Sequence, residues 1–209
     1  MREVTRTFCI CLAVIICLFG DRPLVGQVVD SVQYIRRTER LTYIAFVPAK
    51  QRCENWAVAS AVQSTFEMEG VPLPQSALVL KLSGTDSCGP NLKSPAELVN
   101  VIQGEYKLSA GGTVDVQAQL HDTYVDPGRL ITLIRDNRPF LWIWNDHVYM
   151  AAGIVYVDAV HSSGLHEYDI QQIELMDPFA GAEQKPTIFQ KTQTTLAQVR
   201  GIIEIAASH

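Results

Sequence analysis

The chain has 209 residues, of which 47 % are hydrophobic, enough for one globular domain with a sizeable core. Its formal net charge is −5, with 22 acidic and 17 basic residues. This mildly acidic balance argues against nucleic acid as the main partner.

The first 26 residues predict a secretory signal peptide. Arg2 and Arg6 precede an apolar run from Phe8 to Phe19, which is the order found in signal peptides. The run is too short for a bilayer span of about 20 residues. We expect cleavage just before Gln27, with residues 27–209 as one secreted or periplasmic domain. No stable membrane insertion is expected after cleavage, although an uncleaved membrane anchor stays open as the alternative.

Two cysteines remain in the predicted mature chain. Three of the five cysteines leave with the signal segment, so only Cys53 and Cys88 are kept. An even pair in an exported domain is most simply a disulfide. Because these cysteines and the loop histidines lack close ligand spacing, we expect no metal site and no cofactor.

The first half of the mature chain predicts mainly helices. Two apolar runs, Val32–Ile35 and Leu41–Val47, predict short strands or extended segments. Apolar residues then recur at helical spacing from Asn55, the predicted N-cap, to Glu69. Three further helices are predicted at Gln75–Lys81, from Ser94-Pro95 through Ile102, and from Asp126-Pro127 through Arg135.

The second half predicts strands, because β-branched and aromatic residues alternate with turn residues. The predicted strands are Phe140–Trp144, His147–Val157, Tyr168–Met176, Pro186–Phe189 and Ile202–Ile205. Trp142 and Trp144 should share one strand face. A helical half followed by an antiparallel β half predicts an α+β fold. His121, His161 and His166 fall in polar stretches predicted as loops.

The segment Gln51-Arg52-Cys53-Glu54-Asn55-Trp56-Ala57 resembles the nucleophile segment of papain-like cysteine peptidases of the bacterial type. In that family a Gln stands six residues before the reactive Cys, which opens a helix. Here the sixth residue after Gln51 is Ala57. The resemblance extends to His147, followed by a Gly six residues later, and to Asp177-Pro178 at the end of a strand.

The resemblance implies a papain-like fold, with a helical half that carries the nucleophile-position helix packed on the β half. It implies roles for four residues: oxyanion donor for Gln51, nucleophile position for Ala57, general base for His147 and orienter for Asp177. Cys53 and Cys88 match the structural disulfide of the family. Since Ala57 has no sulfur, we expect a catalytically impaired protein whose cleft binds a peptide or protein.

Two alternatives stay open. In the first, the chain is an active cysteine peptidase that uses Cys53, or that naturally carries a Cys at position 57, together with His147 and Asp177. In the second, the fold is unrelated to papain-like peptidases, because each matching motif is common by itself.

Overall fold

Helices and one antiparallel sheet build the part of the chain that the structure describes. The structure is a computed structural model that describes residues 31–47, 54–85, 94–108, 111–122, 125–178 and 185–208. The described helices are α1 (Glu54–Met68), α2 (Gln75–Ser83), α3 (Pro95–Ile102), α4 (Pro127–Arg135) and α5 (Gln193–Leu196). The described strands are β1 (Val32–Arg40), β2 (Gly104–Lys107), β3 (Thr113–His121), β4 (Phe140–Trp144), β5 (His147–His161), β6 (His166–Met176), β7 (Thr187–Gln190) and β8 (Val199–Ser208). This mixture confirms an α+β fold.

The sheet is curled. Its strand order is β2-β3-β8-β4-β5-β6-β7, and the long β5 pairs with β4 through its first residues and with β1 through the rest. Although three strand spacings of about 4.8 Å separate β4 from β7 along the sheet, the rings of Trp142 and Phe189 lie only 5.0 Å apart. The curl therefore encloses an apolar interior, and α4 packs against it.

The predicted helix starts are confirmed at two caps. Ser94 accepts a hydrogen bond from the backbone amide of Glu97 at 3.2 Å, and Pro95 occupies the first helical position of α3. Asp126 accepts from the amide of Gly128 at 3.1 Å at the start of α4. Each cap satisfies an amide that has no partner inside its own helix.

Helix α1 is the central helix. Residues 56–66 are all buried, so the helix is covered on every side rather than along one stripe. Small residues such as Ala59 and Ala61 let neighbouring elements approach closely. Val47 lies alongside, with its amide donating to Ser64 Oγ at 2.8 Å and its carbonyl accepting from Ser60 Oγ.

The short strand predicted at Val32–Ile35 is confirmed as part of β1, but the other strands before residue 140 were missed. β3 was not predicted, yet it pairs with β8 and buries Val114 and Val116 between exposed residues. Its period-2 pattern was present in the sequence. The segment 41–47 is not a strand, because it leaves the sheet and bonds to α1.

Three histidines that were predicted in loops lie in strands. His121 ends β3, His161 ends β5 and His166 begins β6. The β5–β6 hairpin is longer than the alternation of apolar residues suggested, because pairing with β1 supports its distal end.

Candidate active site

Helix α1 is anchored beside β4 at its C-terminal end. At its C-terminal end, Arg138 Nε donates to Glu69 Oε1 at 3.1 Å, so the helix ends beside the residues that precede β4. The helix packs against both β4 and β5. Near the other end, Trp56 and Val58 join an apolar cluster that contains Val148, the second residue of β5. An antiparallel course of α1 along β4 would bring the start of the helix towards the turn between β4 and β5.

The lengths of the two elements agree with this arrangement. At 1.5 Å per residue, the 15 residues of α1 span about 22 Å. From Arg138 to Trp144 an extended chain covers about 20 Å at 3.4 Å per residue. The free amides at the start of a helix carry the positive end of its dipole. If α1 runs antiparallel to β4, that positive end comes level with the β4–β5 turn.

His147 is presented by a tight hairpin. Asn145 and Asp146 have φ values of 51° and 59°, as the two central positions of a type I′ turn require. Trp144 and His147 pair across this turn. The predicted strand start at His147 is confirmed, and the residue is exposed at the rim of the sheet.

Asp177 lies on the neighbouring chain segment, on the same face as His147. Met150 and Met176 pair in register, and the next pair along would set Tyr149 opposite Asp177. Burial raises the pKa of Tyr149, and the charge of Asp177 raises it further, as a nearby carboxylate would. Since residues two apart on a strand share a face, a register that continued past Met176 would place His147 diagonally across from Asp177.

Tyr149 is a site residue that sequence reasoning missed. Its ring centroid lies 6.2 Å from that of His147 and 6.2 Å from that of Trp144. The signal was its position two residues after His147 in a strand. An imidazole beside a carboxylate can act as a general base, with the carboxylate holding its orientation. The phenol adds a hydrogen-bond donor to the same face.

Ala57 lies one turn inside α1. The helix begins at Glu54, so the predicted N-cap Asn55 falls within the helix, and the side chain of Ala57 is only 7 % exposed. Val148 points towards α1, so strand alternation directs His147 to the opposite face, with Tyr149. The predicted approach of residue 57 to the imidazole of His147 stays a prediction.

Several predicted residues lie outside the described part of the chain. These are Gln51, Cys53, Cys88 and the signal peptide at residues 1–26. The oxyanion donor, the disulfide and the rival thiol therefore stay predictions.

The two tryptophans of β4 share one face, as predicted. Trp142 and Trp144 both pack on Phe189, with ring centroids 5.0 Å and 5.2 Å away. Trp142 is buried in the interior of the curled sheet, whereas Trp144 is half-buried and donates to Gln198 Oε1 at 3.2 Å. Trp144 therefore forms one wall of the surface around His147.

Neither a membrane span nor a metal centre emerges from the described residues. Among them, no helix combines the length and the apolar character needed to cross a bilayer. Within the same residues, no three His, Cys, Asp or Glu side chains converge as a metal ion would need.

Comparison with known proteins gives no family for this chain. No protein-family model matches it, and no curated protein matches its sequence.

Proposed function

We propose that this chain is a cysteine peptidase with a papain-like fold. In this proposal Cys53, the residue before α1, supplies the thiol, and His147 is the general base. Two observations support the proposal: α1 ends beside Arg138, just before β4, and Trp56 in its first turn shares an apolar cluster with Val148, the neighbour of His147. Asp177, on the same face as His147, would orient the imidazole.

The chemistry follows from that arrangement. A thiol directly before a helix meets the positive end of the dipole, which favours the thiolate. The thiolate attacks the carbonyl carbon of a peptide bond, and His147 passes the thiol proton to the leaving amine. Water then hydrolyses the thioester and restores the thiol, with His147 again acting as base. Gln51 would donate a hydrogen bond to the oxyanion.

Two features favour Cys53 over position 57 as the site of the nucleophile. Position 57 lies about 4.5 Å further along the helix axis than Glu54 and is buried. In addition, His147 leaves its strand on the face away from α1. A group between helix and sheet, as residue 57 is, would not reach this imidazole, so the proposal assigns the thiol to Cys53, which precedes the helix in sequence.

The second candidate is a peptide-binding protein without peptidase activity. The six-residue spacing from Gln51 to Ala57, which is the spacing of papain-like enzymes, favours it. Cys53 would then pair with Cys88, and no thiol would remain in the mature chain. Hydrolysis would fall to the residual rate that binding and oxyanion donors supply, about 10³ to 10⁴ over water.

A comparison of Cys53→Ser with Cys88→Ser separates the two candidates. If Cys53 is the nucleophile, unreduced wild-type protein reacts rapidly with iodoacetamide and hydrolyses a casein or peptide-library substrate. Cys53→Ser then loses both properties, while Cys88→Ser keeps them. If the cysteines are bonded, wild-type protein has no titratable thiol, and both variants lose a similar amount of stability, about 3 to 4 kcal/mol for a loop of this length.

A further inference from the structure

A pocket of about 430 Å³ lies where β1 ends. This volume falls within the range of small-molecule sites, about 300 to 1,000 Å³. Aliphatic side chains dominate its lining, among them Leu41, Ile44 and Ile188. Its polar residues are one ion pair and one lysine. We call it the Arg40–Glu174 pocket.

The ion pair is built across three strands. Arg40 pairs with Gly153 on β5, and Gly153 pairs with Glu174 on β6. Arg40 Nε donates to Glu174 Oε2 at 2.7 Å and its Nη2 donates to Oε1 at 2.5 Å. A Cβ at residue 153 would lie 2.7 Å from Glu174 Oε2. A side chain at this position would push the carboxylate of Glu174 away from its present place.

Among the residues that the structure describes, the positive charges of the pocket outnumber the negative ones. Glu174 is neutralised by the two hydrogen bonds from Arg40, and the guanidinium retains further N–H groups that face solvent. Lys185 also lines the pocket and is exposed. No acidic partner of Lys185 is found among the residues that the structure describes. A bound anion would therefore meet a cation that has no competing partner there.

The aliphatic lining is unusually open to solvent. Ile44 is 38 % exposed and Ile188 is 42 % exposed. An aliphatic ligand group that covers these side chains would gain about 25 cal/mol for each Å² of apolar surface removed from water.

We propose that the Arg40–Glu174 pocket binds an aliphatic carboxylate, with its apolar group on Ile44 and Ile188 and its carboxylate on Lys185. Two sources share this chemistry: a medium-chain fatty acid, and the C-terminal leucine or isoleucine of a peptide. The site goes beyond the proposed peptidase function and uses none of its residues. Glu174 lies about 10 Å along the chain from Asp177.

Calorimetric titration of the full chain with paired probes tests the proposal. Octanoate is compared with octan-1-ol, and N-acetyl-alanyl-leucine with its C-terminal amide. We expect each acid to bind at least about fivefold more tightly than its neutral partner, and the tighter acid identifies the source. Equal affinity within both pairs, or no binding by either acid, overturns the proposal.

Matched variants locate the binding. Lys185→Ala should weaken binding of the acid about two- to fivefold, which is the range of an exposed ion pair. Lys191→Ala, whose lysine already pairs with Asp169 at 2.5 Å, should leave it unchanged. Equal effects of the two lysine variants would show that the charge at Lys185 has no special role, and the proposal would fail.

A second pair of variants tests the apolar part. Ile188→Asp should reduce affinity more than tenfold, whereas Leu165→Asp, at an exposed turn outside the pocket, should not change it. Gly153→Ala should also weaken binding, because it displaces Glu174 and Arg40. Cys53→Ser should bind the probes with the affinity of the wild type. The experiment therefore distinguishes failure of the proposed peptidase function from failure of the proposed binding site.

Discussion

The carboxylate of Asp177 lies within electrostatic reach of the phenol of Tyr149. Burial raises the pKa of Tyr149, and the negative charge of Asp177 raises it further, because both disfavour the phenolate. We expect Asp177→Asn to lower this pKa towards the value that burial alone sets, which is still above the ordinary value of about 10. Titration of tyrosine ring carbons by NMR measures the change.

Asp146→Asn is the matched control for this titration. Asp146 is exposed in the β4–β5 turn, and its carboxylate lies 3.6 Å from Arg200 Nε. Its loss should leave the pKa of Tyr149 unchanged. An equal response to both variants would mean that Tyr149 senses only the net charge of the protein, and the His147–Asp177 face would lose its support.

His147→Ala should reduce peptide hydrolysis by about 10² to 10⁴, the usual contribution of a positioned general base. In the proposed function the imidazole also stabilises the thiolate, so the rate of iodoacetamide labelling near neutral pH should fall in the same variant. His161→Ala, at the opposite end of the same strand β5, is the control. If both variants hydrolyse peptides at the same rate, His147 is not the base.

Much of the fold could be predicted from local sequence signals. The caps at Ser94 and Asp126, and the turn at Asn145-Asp146, act through neighbouring residues and so are visible in a short window. The extension of β5 to His161 depends instead on β1, which lies more than a hundred residues earlier in the chain. No local pattern specifies such a partner.

The site was predictable only in part for the same reason. The strand start at His147 and the strand end before Asp177 follow from turn chemistry. That His147 and Asp177 share one face of the sheet is inferred from the pairing of Met150 with Met176, and the sequence does not specify this pairing. The depth of residue 57 within α1 depends on where the helix begins, and helix boundaries are the least certain part of a sequence pattern.

Ala57→Cys tests the register of the nucleophile segment. If position 57 is the vacated nucleophile slot, the new thiol has a depressed pKa and labels rapidly at pH 6. If it lies one turn inside α1, as its burial indicates, the thiol should keep a pKa at or above the ordinary value of about 8.5. The pH dependence of iodoacetamide labelling, measured in a Cys53→Ser background, decides between them.

Ser64 fixes the segment that runs beside α1. Its hydroxyl accepts a hydrogen bond from the amide of Val47 at 2.8 Å and is fully buried. Ser64→Ala leaves that amide without its partner, so we expect a loss of about 1 to 3 kcal/mol in the free energy of unfolding. Urea denaturation measures it.

Ser83→Ala is the control for this measurement. Ser83 also bonds to backbone carbonyls, but it lies half-buried at the end of α2, where water can replace the hydroxyl. Its substitution should change the unfolding free energy by no more than about 0.5 kcal/mol. If Ser64→Ala also changed the unfolding free energy by no more than about 0.5 kcal/mol, the hydrogen bond from Val47 to the helix would not stabilise the fold.

Asp158 should make folding sensitive to acid. The residue is 3 % exposed, yet its carboxylate accepts from Arg37 Nε at 2.9 Å and bonds His166 Nδ1 at 2.8 Å. Burial by itself would raise the pKa of Asp158, but the hydrogen bonds from His166 and Arg37 outweigh it and hold the pKa below the ordinary value. The folded protein therefore favours the carboxylate more than the unfolded chain does.

A pKa that is lowered by folding stabilises the protein above the unfolded value, about 3.9 for Asp, and this stabilisation is lost as the pH falls through the folded value. Asp158→Asn should lower the free energy of unfolding by about 1 to 3 kcal/mol at pH 7. Below about pH 4 the variant and the wild type should become more alike in this free energy. Asp169→Asn, which removes an exposed pair with Lys191, should cost less than about 1 kcal/mol. Unfolding free energies measured from pH 3 to 7 test this prediction. If the wild type and Asp158→Asn differed in unfolding free energy by the same amount at every pH down to 3, the prediction would be wrong.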